Sequence, residues 1–209
     1  MKKAIFFDLD GTIADSIQIG IECANDIAKK YGIDHTIDFS RLRESSTRKI
    51  VREDLQLSLF QIAKYLSKGR RLMRAKAGDI RVFPGIKSVL KRLGRRYEIV
   101  IVTSNLKKTA QLILSNAGID IVTKVYAGRA LFGKHKMIRK ALRKMRLRPA
   151  DVIYVGDEVR DVEACRKVHV QVIAVSWGYN SRKVLEKAEP DIIVDKPSAL
   201  IRAISCLDR

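Results

Sequence analysis

Asp8-Leu9-Asp10-Gly11-Thr12 sets two carboxylates one residue apart, directly after the apolar run Ala4-Ile5-Phe6-Phe7. A β-type run that ends in acids and turns at a glycine delivers both side chains to the carboxyl end of a buried strand, where open α/β sheets bind ligands. Carboxylates held this close repel each other. A hard divalent cation such as Mg²⁺, which takes oxygen ligands at about 2.0–2.1 Å, relieves that repulsion and can hold a phosphate against them. A plain Asp-rich turn is the other reading of the same five residues.

Three later stretches favour the catalytic reading. Ile99-Val100-Ile101-Val102 is a second apolar run and ends in Thr103-Ser104-Asn105, whose hydroxyls and backbone N–H groups suit phosphate oxygens. Lys134 precedes a stretch with apolar Met137, Ile138, Ala141, Leu142 and Met145 at helical spacing, which puts an ammonium near a helix start. Val152-Ile153-Tyr154-Val155-Gly156 runs into Asp157 and Glu158, with Asp161 following. Each of these alone has an ordinary explanation: a lone hydroxyl, a solvated lysine, a helix cap.

Taken in order, the four stretches resemble the haloacid dehalogenase superfamily, in its phosphatase branch, and the general pattern looks like phosphoglycolate phosphatase and related small phosphomonoesterases. The matching residues are Asp8-Leu9-Asp10-Gly11-Thr12, Thr103, Lys134, and Gly156-Asp157 with Asp161, and the likeness covers essentially the whole chain. It implies Asp8 as nucleophile and Asp10 as general acid and base. Thr103, Ser104, Asn105 and Lys134 would bind the transferring phosphoryl group. Mg²⁺ would be held by Asp8, Asp157 and the Asp10 carbonyl, while Asp161 orients Lys134 or a metal-bound water. Dehalogenases of the superfamily lack the second aspartate of the first motif, so Asp10 disfavours that chemistry. A phosphomutase shares the same core residues and stays open.

The elements that must position these residues alternate. Strand patterns fall near 3 to 9, 98 to 103, 122 to 127, 151 to 156 and 170 to 176, with a short one at 191 to 194. Helical patterns at 86 to 94, 106 to 117, 135 to 146 and 159 to 168 lie between them. Such alternation predicts an α/β fold, a Rossmann-like three-layer parallel sheet core. Between Thr12 and Phe83 the strand signal stops, and helices are expected near 15 to 31, 40 to 55 and 58 to 77. Phe83-Pro84-Gly85 marks the return. The expected division is a core of 1–14 and 83–209 with a helical cap of 15–82 inserted, resembling the superfamily's cap. Arg43, Ser45, Ser46 and Arg48 are the cap's candidate selectors of an anionic substrate, and Asp15-Ser16 is expected to cap its first helix.

Composition bounds the rest. At 209 residues one core with an insertion is reasonable. Cys23, Cys165 and Cys206 are scattered and odd in number, which suits reduced, buried thiols in a cytoplasmic protein. Asp8 and Asp10 interrupt the first apolar run too early for a secretory leader, and no run approaches the roughly 18 apolar residues of a membrane span. His35, His135 and His169 are too scattered for a histidine metal site.

The formal net charge is +19, from 42 Lys and Arg against 23 Asp and Glu. Residues 121 to 150 hold no acid. That run could bind nucleic acid or steer small anions, but the plainer reading is a solvated face in a basic protein, because few aromatics accompany it. The expected partner is a small phosphorylated metabolite, with nucleic acid not favoured. The alternative function is an anion- or nucleic-acid-binding protein on the same fold with little turnover. The sequence leaves the oligomeric state open.

Overall fold

The computed structural model describes residues 2–30, 39–45, 59–128 and 133–208. A six-stranded parallel sheet runs through it in the order β5-β4-β1-β6-β7-β8. Its strands are β1 (Ala4–Phe7), β4 (Glu98–Thr103), β5 (Val122–Ala127), β6 (Val152–Gly156), β7 (Gln171–Val175) and β8 (Ile192–Val194). The expected α/β class and parallel core are what the structure contains.

Every side chain of β1 is fully buried, because the strand is central and covered on both faces. Side chains alternate along a strand, so the two faces can be read from its sequence. Ile5 and Phe7 join the cluster of Leu90, Ile113 and Ile204, from α4 (Ile86–Leu93), α5 (Lys107–Asn116) and α9 (Leu200–Leu207). Ala4 and Phe6 join the cluster of Ile138, Ala141, Val162 and Cys165, from α6 (Lys134–Met145) and α7 (Val159–Arg166). Three layers result.

Register then places the chemistry. Phe7 pairs with Ile101 of β4 on one side and with Val155 of β6 on the other. The residues just beyond those pairs, Asp8, Thr103 and Asp157, therefore gather at one edge, where the chain departs from β1 in opposite directions across the sheet.

The inserted segment leaves and re-enters through a two-stranded antiparallel ribbon, β2 (Ala14–Asp15) with β3 (Arg81–Val82). Between them lie α1 (Ile17–Lys30), α2 (Phe39–Glu44) and α3 (Leu59–Ala75). At the return, Pro84 is followed by Gly85 in the left-handed region, φ 83°, a conformation glycine adopts without strain. The helix expected over 40 to 55 ends at Glu44, and residues 46 to 58, with Ser46 and Arg48, lie outside the described residues.

Two expectations are corrected. Cys206 is exposed, on the outer side of α9, while Cys23 and Cys165 are buried thiols. Ser16 does not serve as a simple cap for α1, because its hydroxyl donates to Asp10 Oδ1 at 2.9 Å. The short helix α8 (Arg182–Glu186) and terminal α9 were not expected from the sequence. A five-residue helix is too brief for a periodic signal, and the α9 pattern is short as well.

Candidate active site

Asp8 lies at the carboxyl end of β1, buried, its backbone N–H donating to Val155 O at 2.9 Å. Oδ1 accepts the Leu9 N–H at 2.8 Å. Oδ2 accepts the Lys134 ammonium, which also donates to Asp161 Oδ1. One buried cation thus bridges two carboxylates, and it lies 5.7 Å from the centre of the Tyr154 ring. Burial disfavours the Lys134 charge, but Asp161 and Asp8 more than offset it and hold its pKa above the usual lysine value. Burial raises the Asp8 carboxyl, Lys134 opposes the rise, and the result is about 7.

Lys134 reaches this position as the first residue of α6. A cation at a helix N-terminus opposes the helix dipole, so the two acids supply the compensation. Asp161 is anchored independently. Its Oδ2 accepts the backbone N–H groups of Asp157 at 3.2 Å and Glu158 at 3.1 Å, which satisfies the start of α7. With both oxygens engaged, Asp161 is placed to position Lys134.

Asp157 is fully buried between two loops. Oδ1 accepts the Thr12 hydroxyl and Oδ2 the Tyr179 N–H, each at 2.8 Å. A Cβ on Gly11 would lie 2.1 Å from Asp157 Oδ2, and one on Gly178 would lie 2.3 Å from the same oxygen. Both glycines are therefore required by the close approach of this carboxylate, and Gly11 also has a φ of 75°. Burial pushes the Asp157 pKa well up, and the neighbouring charges of Glu158, Asp8 and Asp161 add to the rise.

Asp10 sits on the side of the inserted helices. Burial raises its pKa, while hydrogen bonds from Ser16 and Asn105 oppose the rise. Asn105 Nδ2 lies 3.3 Å from Asp10 Oδ2, and Asn105 Oδ1 accepts the Leu106 N–H at 2.7 Å. Thr103 is buried, its Oγ1 accepting the Asn105 N–H at 2.9 Å. Ser104 is half-buried in the same turn. These three residues form the turn at the carboxyl end of β4, on the same sheet edge as Asp8.

Arg43 is placed differently. Its guanidinium donates to the carbonyls of Gly178 at 2.9 Å and Ser176 at 3.0 Å, while its own carbonyl accepts the Ser181 N–H at 2.9 Å. Asn180 Nδ2 donates to Ser45 O at 3.0 Å. Helix α2 is thereby fastened to the loop that holds Asp157, because that loop presents carbonyls a fork-shaped donor can reach.

Arg160 escapes a reading of the sequence alone, whereas Trp177 lies in the Trp177-Gly178-Tyr179-Asn180 stretch that resembles a site-bordering loop. Arg160, on the first turn of α7, donates through Nε to Glu158 Oε1 at 2.8 Å and through Nη2 to the same oxygen. Burial opposes its charge, yet Glu158, Asp161 and Asp8 hold its pKa above the usual arginine value. Trp177 Nε1 donates to Thr12 O at 3.2 Å and its ring meets Phe83 edge-on. The acid-rich Asp157-Glu158 pair gave a signal for a nearby cation; nothing in the spacing singled out Arg160.

A hard divalent cation fits this donor set. Asp8, Asp157 and Asp161 each offer a carboxylate oxygen, all lying within 4.8 Å of one another. Two of these carboxyls have pKa values raised by burial, a cost that a bound cation offsets.

The site is carboxylate-centred, at the carboxyl edge of a parallel sheet with a helical segment inserted just after its first strand. The chain belongs to the haloacid dehalogenase-like hydrolase family, which matches residues 5–175. It is 35% identical over 211 residues to a phosphoglycolate phosphatase of Synechococcus elongatus, covering 99% of each chain. It is 28% identical over 124 residues to a pyrophosphatase PpaX of Bacillus cereus, covering 57% of this chain and 56% of that one. Among solved structures, a haloacid dehalogenase-like family hydrolase from Streptococcus pneumoniae matches with a TM-score of 0.80 and 28% identity, over 97% of this chain and 98% of that one. A Clostridium acetobutylicum protein described as a predicted phosphatase gives a TM-score of 0.86 at 23% identity, over 98% of each chain, and shows the shared fold.

Proposed function

We propose that this enzyme is a cytoplasmic, Mg²⁺-dependent phosphatase that hydrolyses a small phosphomonoester through an aspartyl-phosphate on Asp8, phosphoglycolate phosphatase-like in its substrate. The observation that carries this reading is the Asp8–Lys134–Asp161 bridge, a nucleophile-grade carboxylate beside a fixed cation in a buried site. The identity over the full length to a phosphoglycolate phosphatase supports the substrate class.

Asp8 attacks phosphorus, the leaving oxygen takes a proton from Asp10, and Asp8 carries the phosphoryl group. Asp10, now a base, removes a proton from water that attacks the same phosphorus and frees Asp8. Lys134, Thr103 and the turn of Ser104 and Asn105 hold the transferring oxygens and oppose their charge. Mg²⁺ would be held by Asp8, Asp157 and the Asp10 carbonyl, and supplies positive charge to the phosphate oxygens.

Residues 15–82 are the cap in this reading, and the β2–β3 ribbon is its hinge. Arg43 serves closure through its bonds to Ser176 and Gly178, fastening α2 over the core and shutting bulk water out of the phosphate site.

Phosphate release is the test, from phosphoglycolate, sugar phosphates, nucleotides, pyrophosphate and an aryl phosphate, with Mg²⁺ or EDTA, beside Asp8→Asn. Turnover that needs Mg²⁺, is lost in the variant and is highest on phosphoglycolate is expected. Full hydrolysis by Asp8→Asn would remove Asp8 as nucleophile.

A further inference from the structure

Helix α6 begins in the active site with Lys134 and then carries a row of cations away from it. Lys136, Arg139, Lys140, Arg143 and Lys144 follow the i, i+3, i+4, i+7, i+8 spacing of a single helix face, and all five are exposed. The opposite face, Met137, Ile138, Ala141 and Leu142, is buried against the sheet.

Oppositely charged neighbours one turn apart stabilise a helix and like-charged ones destabilise it, so a face of one sign concentrates charge at a cost to the helix. Here Lys136 and Lys140, Arg139 and Arg143, and Lys140 and Lys144 are like-charged pairs at i,i+4. Residues 121 to 150 hold ten Lys and Arg with no Asp or Glu, so +10 of the chain's +19 comes from this one run. The field extends to a second helix end. His135 is pushed below its usual pKa by burial and then by Lys167, Lys136 and Arg139, and Arg139 reaches the Lys167 carbonyl at 3.5 Å.

We propose that this face of α6, with Lys167, is a docking surface for the phosphate backbone of double-stranded DNA. From Lys136 to Lys144 the row covers about 12 Å of helix axis. That length is about three to four base-pair rises along one strand. The α6 sequence contains no Phe, Tyr or Trp, so it offers no platform for stacking the bases of a single strand. Among the described residues the exposed large hydrophobic is Leu112, on α5, so the face has nothing to insert into a bilayer. B-form DNA carries its phosphates along open groove edges, which a helix face lying on the protein surface can reach without entering a groove. Such contacts are independent of base sequence and weaken steeply with salt.

The test is fluorescence anisotropy of a labelled 25-base-pair DNA duplex titrated with the full chain at several salt concentrations. The variant Lys140→Glu/Arg143→Glu/Lys144→Glu is compared with Lys91→Glu/Arg92→Glu/Arg95→Glu, an equal charge change on exposed residues at and beyond the end of α4, across the sheet. The α6 variant should bind at least tenfold more weakly at 0.1 M salt, with a log–log salt slope shallower by about 2–3. The α4 variant should stay within about twofold of the parent, and kcat on a small aryl phosphate should hold in both. A single Lys140→Glu, expected to lower the slope by about 1, keeps the test open if the triple variant does not fold. Equal loss in both triple variants, no binding by the parent, or binding confined to single strands or anionic vesicles would overturn the proposal.

Discussion

Ser16 donates its hydroxyl to Asp10 Oδ1 at 2.9 Å, tying the residue before α1 to the proposed general acid and base. The bond steadies the ionised form of a carboxyl that burial otherwise pushes toward protonation. Ser16→Ala should therefore raise the Asp10 pKa and, for hydrolysis of the aspartyl-phosphate, where Asp10 acts as the base, move the acidic limb of the kcat profile to higher pH. A charged hydrogen bond of about 1.5–3 kcal/mol corresponds to a displacement of that limb by about one to two pH units. Phosphate release measured from pH 5 to 9 decides it, and an unmoved limb would show that Ser16 acts only through structure.

That contact also marks where sequence reading stops. The strands and the order of Asp8, Thr103, Lys134 and Asp157 were legible because a central parallel strand needs unbroken apolar residues and the acids interrupt them abruptly. The expected α/β sheet and the family resemblance are shown by the structure and the family match. Ser16 reads as a helix cap from its position, because only the folded chain brings Asp10 within reach of it. The contacts of Arg43 were hidden for the same reason. Its partners are backbone carbonyls of Ser176 and Gly178, 133 and 135 residues away, which carry no side-chain signal. Gly178 reads as part of a loop bordering the site, but the need for a glycine there comes from Asp157 in another loop.

Lys134→Met removes the cation that bridges Asp8 and Asp161 while keeping the length of the side chain. Both acids are then buried without it, a situation that costs about 3–5 kcal/mol when a buried pair loses one partner. Urea unfolding at pH 7 without metal should report that loss, and phosphate release should fall below detection. Asp161→Asn should be milder in stability, because an amide still offers one acceptor. A Lys134→Met protein as stable as the parent would mean that the two carboxyls are protonated or hydrated in place.

Gly178→Ala tests the packing of the proposed metal ligand without touching any charge. Its new Cβ would lie 2.3 Å from both Cβ and Oδ2 of Asp157, so the carboxylate or the loop must move. Displacing the support of a metal ligand weakens the metal by about 10- to 100-fold. Calorimetric titration with Mg²⁺ should show that loss, with the far-ultraviolet dichroism of the sheet and helices unchanged. Undiminished Mg²⁺ affinity would place the metal away from Asp157.

Metal and proton should compete at Asp8. Without metal its pKa is about 7 in the folded protein against an ordinary 3.8, because burial outweighs the attraction of Lys134. A carboxyl whose folded pKa is raised favours the fold fully below 3.8 and loses that contribution as pH rises through about 7, since the folded state binds the extra proton. Metal-free protein should therefore lose stability from this group between pH 4 and 7, and Asp8→Asn, which cannot ionise, should flatten that part of the profile. Mg²⁺ acts in the opposite sense. It binds the ionised carboxylate, so the rise in Tm at a fixed millimolar Mg²⁺ should grow from pH 6 to pH 8 and should be small at both in Asp8→Asn. Thermal unfolding with and without Mg²⁺ across that range reads the competition directly, without any substrate. A rise in Tm that is independent of pH would mean that Mg²⁺ meets no proton at Asp8, and the buried carboxyl would then be ionised before the metal arrives.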